Sequence, residues 1–198
     1  MTGTRALRLA GLAATALLCA PASAAAHLVT TGMGPVYDGI GHLLLTPEDL
    51  VPVFALALYA GLRGAAAGRR AMFLLPLCWF VGGLAGSAMN TAIPAPLPAV
   101  SILILGGLVA ADLCLPAGAV ACLAVVLGLV HGFMNGAILR EGAGTLGLVG
   151  IAIMLFVMVA LFSALVVSLR KPWARIAVRV AGSWIAAIGL LMFGWAVR

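Results

Sequence analysis

Histidines and carboxylates are scarce in this chain, which has three His and five acidic residues among 198. Three of the acids and one histidine fall together between Tyr37 and Leu50, as Asp38, His42, Glu48 and Asp49. A second group lies further on, where His131 and Asn135 stand one helical turn apart, and Asn90 occupies a matching place in an earlier segment. Imidazole combined with carboxylate suits borderline divalent cations such as Ni²⁺, Co²⁺ or Zn²⁺. Cu(I) prefers sulfur donors, which Met89 and Met134 could supply. The spacing therefore points to the handling of a transition-metal cation, with Asp38, His42, Glu48, Asp49, Asn90, His131 and Asn135 as candidate ligands. His27 is a further candidate for metal capture, because leader cleavage after Ala26 would make it the first residue.

The elements that must position these groups are membrane helices. Hydrophobic residues make up 65% of the chain and charged residues 8%, and the mean hydropathy is +1.25. Such values lie outside the range of soluble domains, and polar groups kept in such a chain are costly unless used. At roughly 20 residues per span, the length allows about six spans and almost no soluble domain. The net charge of +6 would suggest nucleic acid in a soluble protein. Here the basic residues cluster beside apolar segments, as Arg63, Arg69, Arg70 and as Arg170, Lys171, Arg175, Arg179, so they read as topology signals and no nucleic acid is expected.

Residues 1–26 read as a cleaved signal peptide, with Arg5 and Arg8 before a short apolar core and small-x-small sites at Ala22–Ala26. The mature chain, 27–198, is expected to be one all-α domain of six transmembrane helices, at about 37–62, 71–91, 98–115, 117–138, 145–169 and 176–196. Residues 91–98 are proline-rich and are expected to break the helix. Leader cleavage puts the N-terminus outside, and both basic clusters then fall inside, as the positive-inside rule requires. The expected location is a bacterial inner membrane, crossed several times. Trp173 and Trp195 fit interfacial anchors. Cys19, Cys78, Cys114 and Cys122 form no CxxC pair and are expected to be free, the last three as buried thiols. Asp112 with Cys114 and Cys122 is either a loop acid beside packed thiols or an exit site.

Two geometries are open for the first segment. As one helix, residues 37–62 would bring Asp38, His42 and Asp49 within roughly 40° of each other, in a line about 16 Å long. Alternatively the helix breaks at Thr46-Pro47, with Thr46 as N-cap, Pro47 at the first helical position and Glu48 and Asp49 in the first turn. Broken helices commonly hold ions in membranes. A weak repeat relates residues 83–92 to 128–137, sharing Gly, Leu, Met, Asn and Ala at matching places in two segments that run the same way. Gly128, Gly132 and Gly136 form a stripe for close helix packing, which turns His131 toward a helix junction rather than lipid.

The chain resembles the HupE/UreJ family of small membrane proteins, regarded as nickel or cobalt permeases. The family's first-span signature, H-P-x-x-G-x-D-H-x-x-x-M, aligns from His42, with Glu48 at the Asp and Asp49 at the second His. Leu43, Thr46 and Val53 replace its Pro, Gly and Met. An H-G-x-x-H-G-like element matches His131-Gly132-Phe133-Met134-Asn135-Gly136, with Asn135 at the second His. The resemblance implies a permease for a nickel- or cobalt-type ion, with a site more oxygen-rich than the family pattern. The alternative is a membrane accessory protein that supplies metal to a metalloenzyme and contacts its assembly partners. The lipid bilayer and the metal ion are the expected partners, with no tightly bound cofactor. No H-E-x-x-H, Gly-x-Ser-x-Gly or Walker sequence occurs, so neither an enzyme nor an ATP-driven pump is expected.

Overall fold

The structure is a computed structural model that describes residues 30–89, 94 and 96–198, the side chain of residue 117 excepted. Among the described residues it is all helix and turn, without strands. Seven helices follow in order among the described residues: α1 Pro35–Leu45, α2 Pro47–Leu62, α3 Ala65–Ala88, α4 Pro96–Ala111, α5 Ala117–Leu139, α6 Gly144–Ser168 and α7 Pro172–Ala196.

Of the two geometries open for residues 37–62, the structure takes the broken one. The chain breaks at Thr46, which has extended backbone (φ −105, ψ 94), and α1 and α2 meet at 78°. The cause is local: Pro47 has no N–H to continue α1, yet its fixed φ suits the first position of α2. Thr46 occupies the N-cap position, but its side chain makes no capping bond; its carbonyl accepts from the N–H groups of Asp49 and Leu50 instead. The straight ladder of Asp38, His42 and Asp49 is thereby lost. Pro52 lies inside α2, so the carbonyl of Glu48 lacks its usual helical donor.

Among the described residues, four helices are long and apolar enough to cross a membrane: α3, α5 (from Gly118), α6 and α7. The bent α1–α2 pair gives a fifth if counted as one crossing. Helix α4, with 16 residues, is about 24 Å long, short of the roughly 30 Å apolar layer. It begins at Pro96, earlier than expected, because prolines in a first helical turn lose no bond.

Glycines set the packing and fix the helix directions. A Cβ on Gly128 would lie 2.8 Å from the carbonyl of Leu75, one on Gly132 2.1 Å from that of Trp79, and one on Gly136 1.9 Å from that of Gly83. In return, Gly82 and Gly86 of α3 meet the carbonyls of Leu129 and Phe133. The helical part of the first half of the sequence repeat, residues 83–88, thus lies beside the second half on α5, running the same way. Gly106, Gly182 and Gly189 join α4 to α7 in antiparallel fashion, and Gly68 meets Ser163 of α6 near the start of α3. Helices α2 to α7 consequently alternate in direction. Each glycine costs up to about 1 kcal/mol of helix propensity against alanine, offset where backbones approach this closely.

At one end of the bundle Asp112 gathers three helices. Its carboxylate pairs with Arg63 at the end of α2 and, at 3.4 Å, with Arg175 of α7. Tyr59 donates to the carbonyl of Leu113 at 2.7 Å, and Arg179 to that of Ala110 at 3.0 Å. Asp112 is therefore a structural clamp. The thiols beside it are free, but Cys114 and Cys122 are exposed and Cys78 is half-buried, contrary to the expectation of burial. Cys114 lies in the turn between α4 and α5, Cys122 on the outer face of α5, and Cys78 beside Gly128 of α5. Trp173 and Trp195, at opposite ends of α7, are 65% and 73% exposed, as interfacial anchors would be.

Candidate functional site

At the opposite end of the bundle from Asp112, four helices bring polar side chains into its interior. Asp49, in the first turn of α2, is 3% exposed; His131 and Asn135 of α5 are 0% and 1% exposed. His131 Nδ1 lies 2.7 Å from Asp49 Oδ1, and the Asn135 amide donates to Asp49 Oδ2 at 2.8 Å. One carboxylate thus takes a partner on each oxygen, both from α5 and one turn apart. On the other side of the imidazole, His131 Nε2 lies 3.0 Å from Ser101 Oγ on α4, and Ser101 donates to the carbonyl of Pro98 at 2.7 Å. The Trp79 ring of α3 flanks the imidazole, with centroids 5.5 Å apart and planes at 33°.

Hydrogen-bond counting constrains the protons. Where Ser101 donates to Pro98, His131 Nε2 is the donor to Ser101 Oγ, and where Ser101 donates to the imidazole, Nε2 accepts. A proton must also lie between Nδ1 and the Asp49 carboxylate. A carboxylate and an imidazole that partner each other and are held on their far sides by Asn135 and Ser101 are what a low-dielectric interior tolerates.

Around that pair the bonding is incomplete. His42 Nε2, Asn135 Oδ1 and Trp79 Nε1 are buried without hydrogen-bond partners among the described residues. His42, on α1, is 8% exposed and within electrostatic reach of Asp49. Unpartnered buried atoms next to a satisfied pair call for an explanation such as water or an ion. Asn135 Oδ1 carries lone pairs able to meet a cation, as does His42 Nε2 in the tautomer protonated at Nδ1; Trp79 Nε1 is a donor only.

The other expected site residues are placed differently. Asp38 is half-buried, and its carboxylate accepts from the N–H and hydroxyl of Thr31, at 2.6 and 2.7 Å. It ties the preceding arm to α1 and takes no part in the Asp49 network. Glu48 is exposed, beside a 280 Å³ cavity whose walls include Pro98, Met192 and Trp195. One step along α2 separates it from Asp49 by about 100°, so the two acids face different surroundings. Asn90 and His27 lie outside the described residues. Among the described residues, no three His, Cys, Asp or Glu side chains gather closely enough to enclose a metal ion.

Two members of the network were not anticipated. Ser101 is the one polar side chain in α4, and a lone hydroxyl in so apolar a segment is the signal that marks it. Trp79 gives no comparable sign, since aromatic residues fill membrane bundles for many reasons.

A family model described as HupE / UreJ protein matches residues 15–192 of the chain. No curated protein and no solved structure matches it.

Proposed function

The chain belongs to the HupE/UreJ family, and on that premise we propose that it is a permease for a divalent cation of the nickel or cobalt type. The family is linked to nickel and cobalt transport or to urease and hydrogenase maturation. The observation that carries the proposal is the buried Asp49–His131–Asn135 network, with the unpartnered nitrogen of His42 and oxygen of Asn135 beside it. An arriving cation takes the place of the proton between Asp49 and His131, which leaves to water, and His42 must close toward Asp49 to join Asn135 in completing the ligand set, since the three side chains do not enclose an ion as they stand. Because Asp49 stands where the family signature has histidine, the donor set is harder than the family's and favours Ni²⁺ or Co²⁺ over Cu(I). The ion is cargo and not a resident cofactor. Asp38 and Glu48 serve as outer acidic groups on its approach.

In this proposal α1–α2 and α3 to α7 make six crossings of a bacterial inner membrane, with the short α4 held by α7. The end bearing Arg63, Arg69, Arg70, Arg170, Lys171, Arg175 and Arg179 faces the cytosol. The cleaved N-terminus and the Asp49–His131 site then lie toward the outside. Between Asp49 and the cytosolic end, Val53, Leu56, Leu75, Ile102 and Leu105 are all buried, so passage requires the helices to part there.

That packed interior favours a second reading, in which the protein holds metal for a metalloenzyme assembly without carrying it across. Flux separates the two. Purified protein in proteoliposomes should accumulate Ni²⁺ or Co²⁺, and the Asp49→Asn and His131→Ala variants should not. Metal binding without accumulation would sink the permease and leave the accessory protein. Accumulation unchanged in both variants would remove the site itself.

A further inference from the structure

We propose that the groove between the first turns of α3 and the last turns of α6 binds one anionic phospholipid, with its phosphate at Arg69 and Arg170 and an acyl chain along the groove below them. The proposal requires only that the protein sit in a membrane, and it stands or falls apart from metal transport.

The groove has a volume of 530 Å³. Its walls are narrow because they are built from small residues, Gly68 on α3 and Ala160 and Ala164 on α6, with Met72 deeper in. Gly68 brings the two helices together against Ser163, where a Cβ would lie 2.9 Å from the hydroxyl. An apolar channel of this kind suits a methylene chain better than a folded surface. Arg69 of α3 and Arg170, two residues past the end of α6, stand on its rim, and both are exposed.

Charge selects the occupant. Arg69, Arg70, Arg170 and Lys171 make no ion pair among the described residues. The acid available at this end, Asp112, is already shared by Arg63 and Arg175. Four unneutralised cations at the edge of an apolar groove between membrane helices match a phosphate ester carrying an acyl chain. Free phosphate would satisfy the arginines and leave the groove empty; a zwitterionic lipid would fill the groove and leave the arginines uncompensated.

Native mass spectrometry of the full chain in detergent tests this with phosphatidylglycerol, phosphatidylcholine and glycerophosphate as probes. One phosphatidylglycerol should remain bound under conditions that strip phosphatidylcholine. The double variant Arg69→Gln/Arg170→Gln should weaken that adduct by on the order of tenfold, from the loss of two cations near the headgroup. Ala160→Leu/Ala164→Leu should weaken it comparably by filling the groove while both arginines stay. Should the glutamine variant fail to fold, the leucine variant and the lipid comparison on wild type decide alone. Equal retention of the two lipids, an adduct unchanged in the leucine variant, or glycerophosphate displacing the lipid at matched concentration would each overturn the proposal.

Discussion

Asp49 Oδ1 and His131 Nδ1 lie 2.7 Å apart across a sequence separation of 82 residues, both buried. The contact joins the broken first span to α5, and it makes the two residues interdependent. Asp49→Ala would leave the His131 nitrogen and the Asn135 amide without their partner in a dry interior. Removing one member of such a pair costs about 3–5 kcal/mol. Asp49→Asn, which keeps the shape and an acceptor oxygen, should cost less. Replacing both partners by Leu should recover part of the loss, since no buried charge is then left alone. Thermal unfolding of Asp49→Leu, His131→Leu and the double variant in detergent forms the cycle that checks this; simple additivity would contradict it.

The α3–α5 contact gives a second expectation, with its control built in. A Cβ on Gly136 would lie 1.9 Å from the carbonyl of Gly83, and rigid backbone cannot yield as a side chain can. Gly136→Ala should therefore destabilise by about 1–3 kcal/mol or more. A Cβ on Gly107 would meet nothing within 4 Å, so Gly107→Ala should be neutral or gain up to about 1 kcal/mol of helix propensity. Melting temperatures of the two variants, measured in one detergent, should move in opposite directions or at least differ widely.

Most of the bundle was legible because membrane helices announce themselves by length and apolarity, and because glycine spacing at 128, 132 and 136 has few other uses. That stripe also placed His131 inward, and the structure leaves it fully buried. The break at Thr46-Pro47 was visible as one of two options but could not be chosen, since a proline in that setting either kinks a helix or starts one. Asp38 misled for a related reason. Its alignment with His42 and Asp49 assumed an unbroken helix, and the 78° bend removes it. Ser101 was overlooked because its role depends on α4 lying against α5, a tertiary fact that helical periodicity does not carry.

At the other end, Asp112 adopts a positive φ of 50°, the one described non-glycine residue to do so, while its carboxylate holds Arg63 and Arg175. Asp and Asn tolerate this backbone better than other side chains. Asp112→Asn should consequently keep the turn and lose the charge, costing about 1–3 kcal/mol for the hydrogen bonds to charged groups. Asp112→Val should cost more, because it adds backbone strain. Asp112→Gly would relax the backbone and still lose both arginines, so it should resemble Asn. Equal melting temperatures for wild type and Asp112→Asn would show that the clamp adds nothing to the fold.

His42 offers the sharpest separation of function from stability. Its Nε2 is buried without a hydrogen-bond partner among the described residues, a condition that costs the fold about 1–3 kcal/mol. A group kept at such a cost serves something other than packing, as happens where activity needs a destabilised site. His42→Leu should therefore leave the melting temperature unchanged or raise it, while Ni²⁺ or Co²⁺ binding and uptake fall. Metal capture by wild type should also weaken as pH is lowered, because protons compete for the nitrogen and carboxylate lone pairs the ion requires. Isothermal titration of Ni²⁺ into wild type and His42→Leu, with thermal unfolding of the same preparations, reads both quantities at once. A variant that loses stability in step with binding would make His42 a packing residue, and the orphaned nitrogen would then need another explanation.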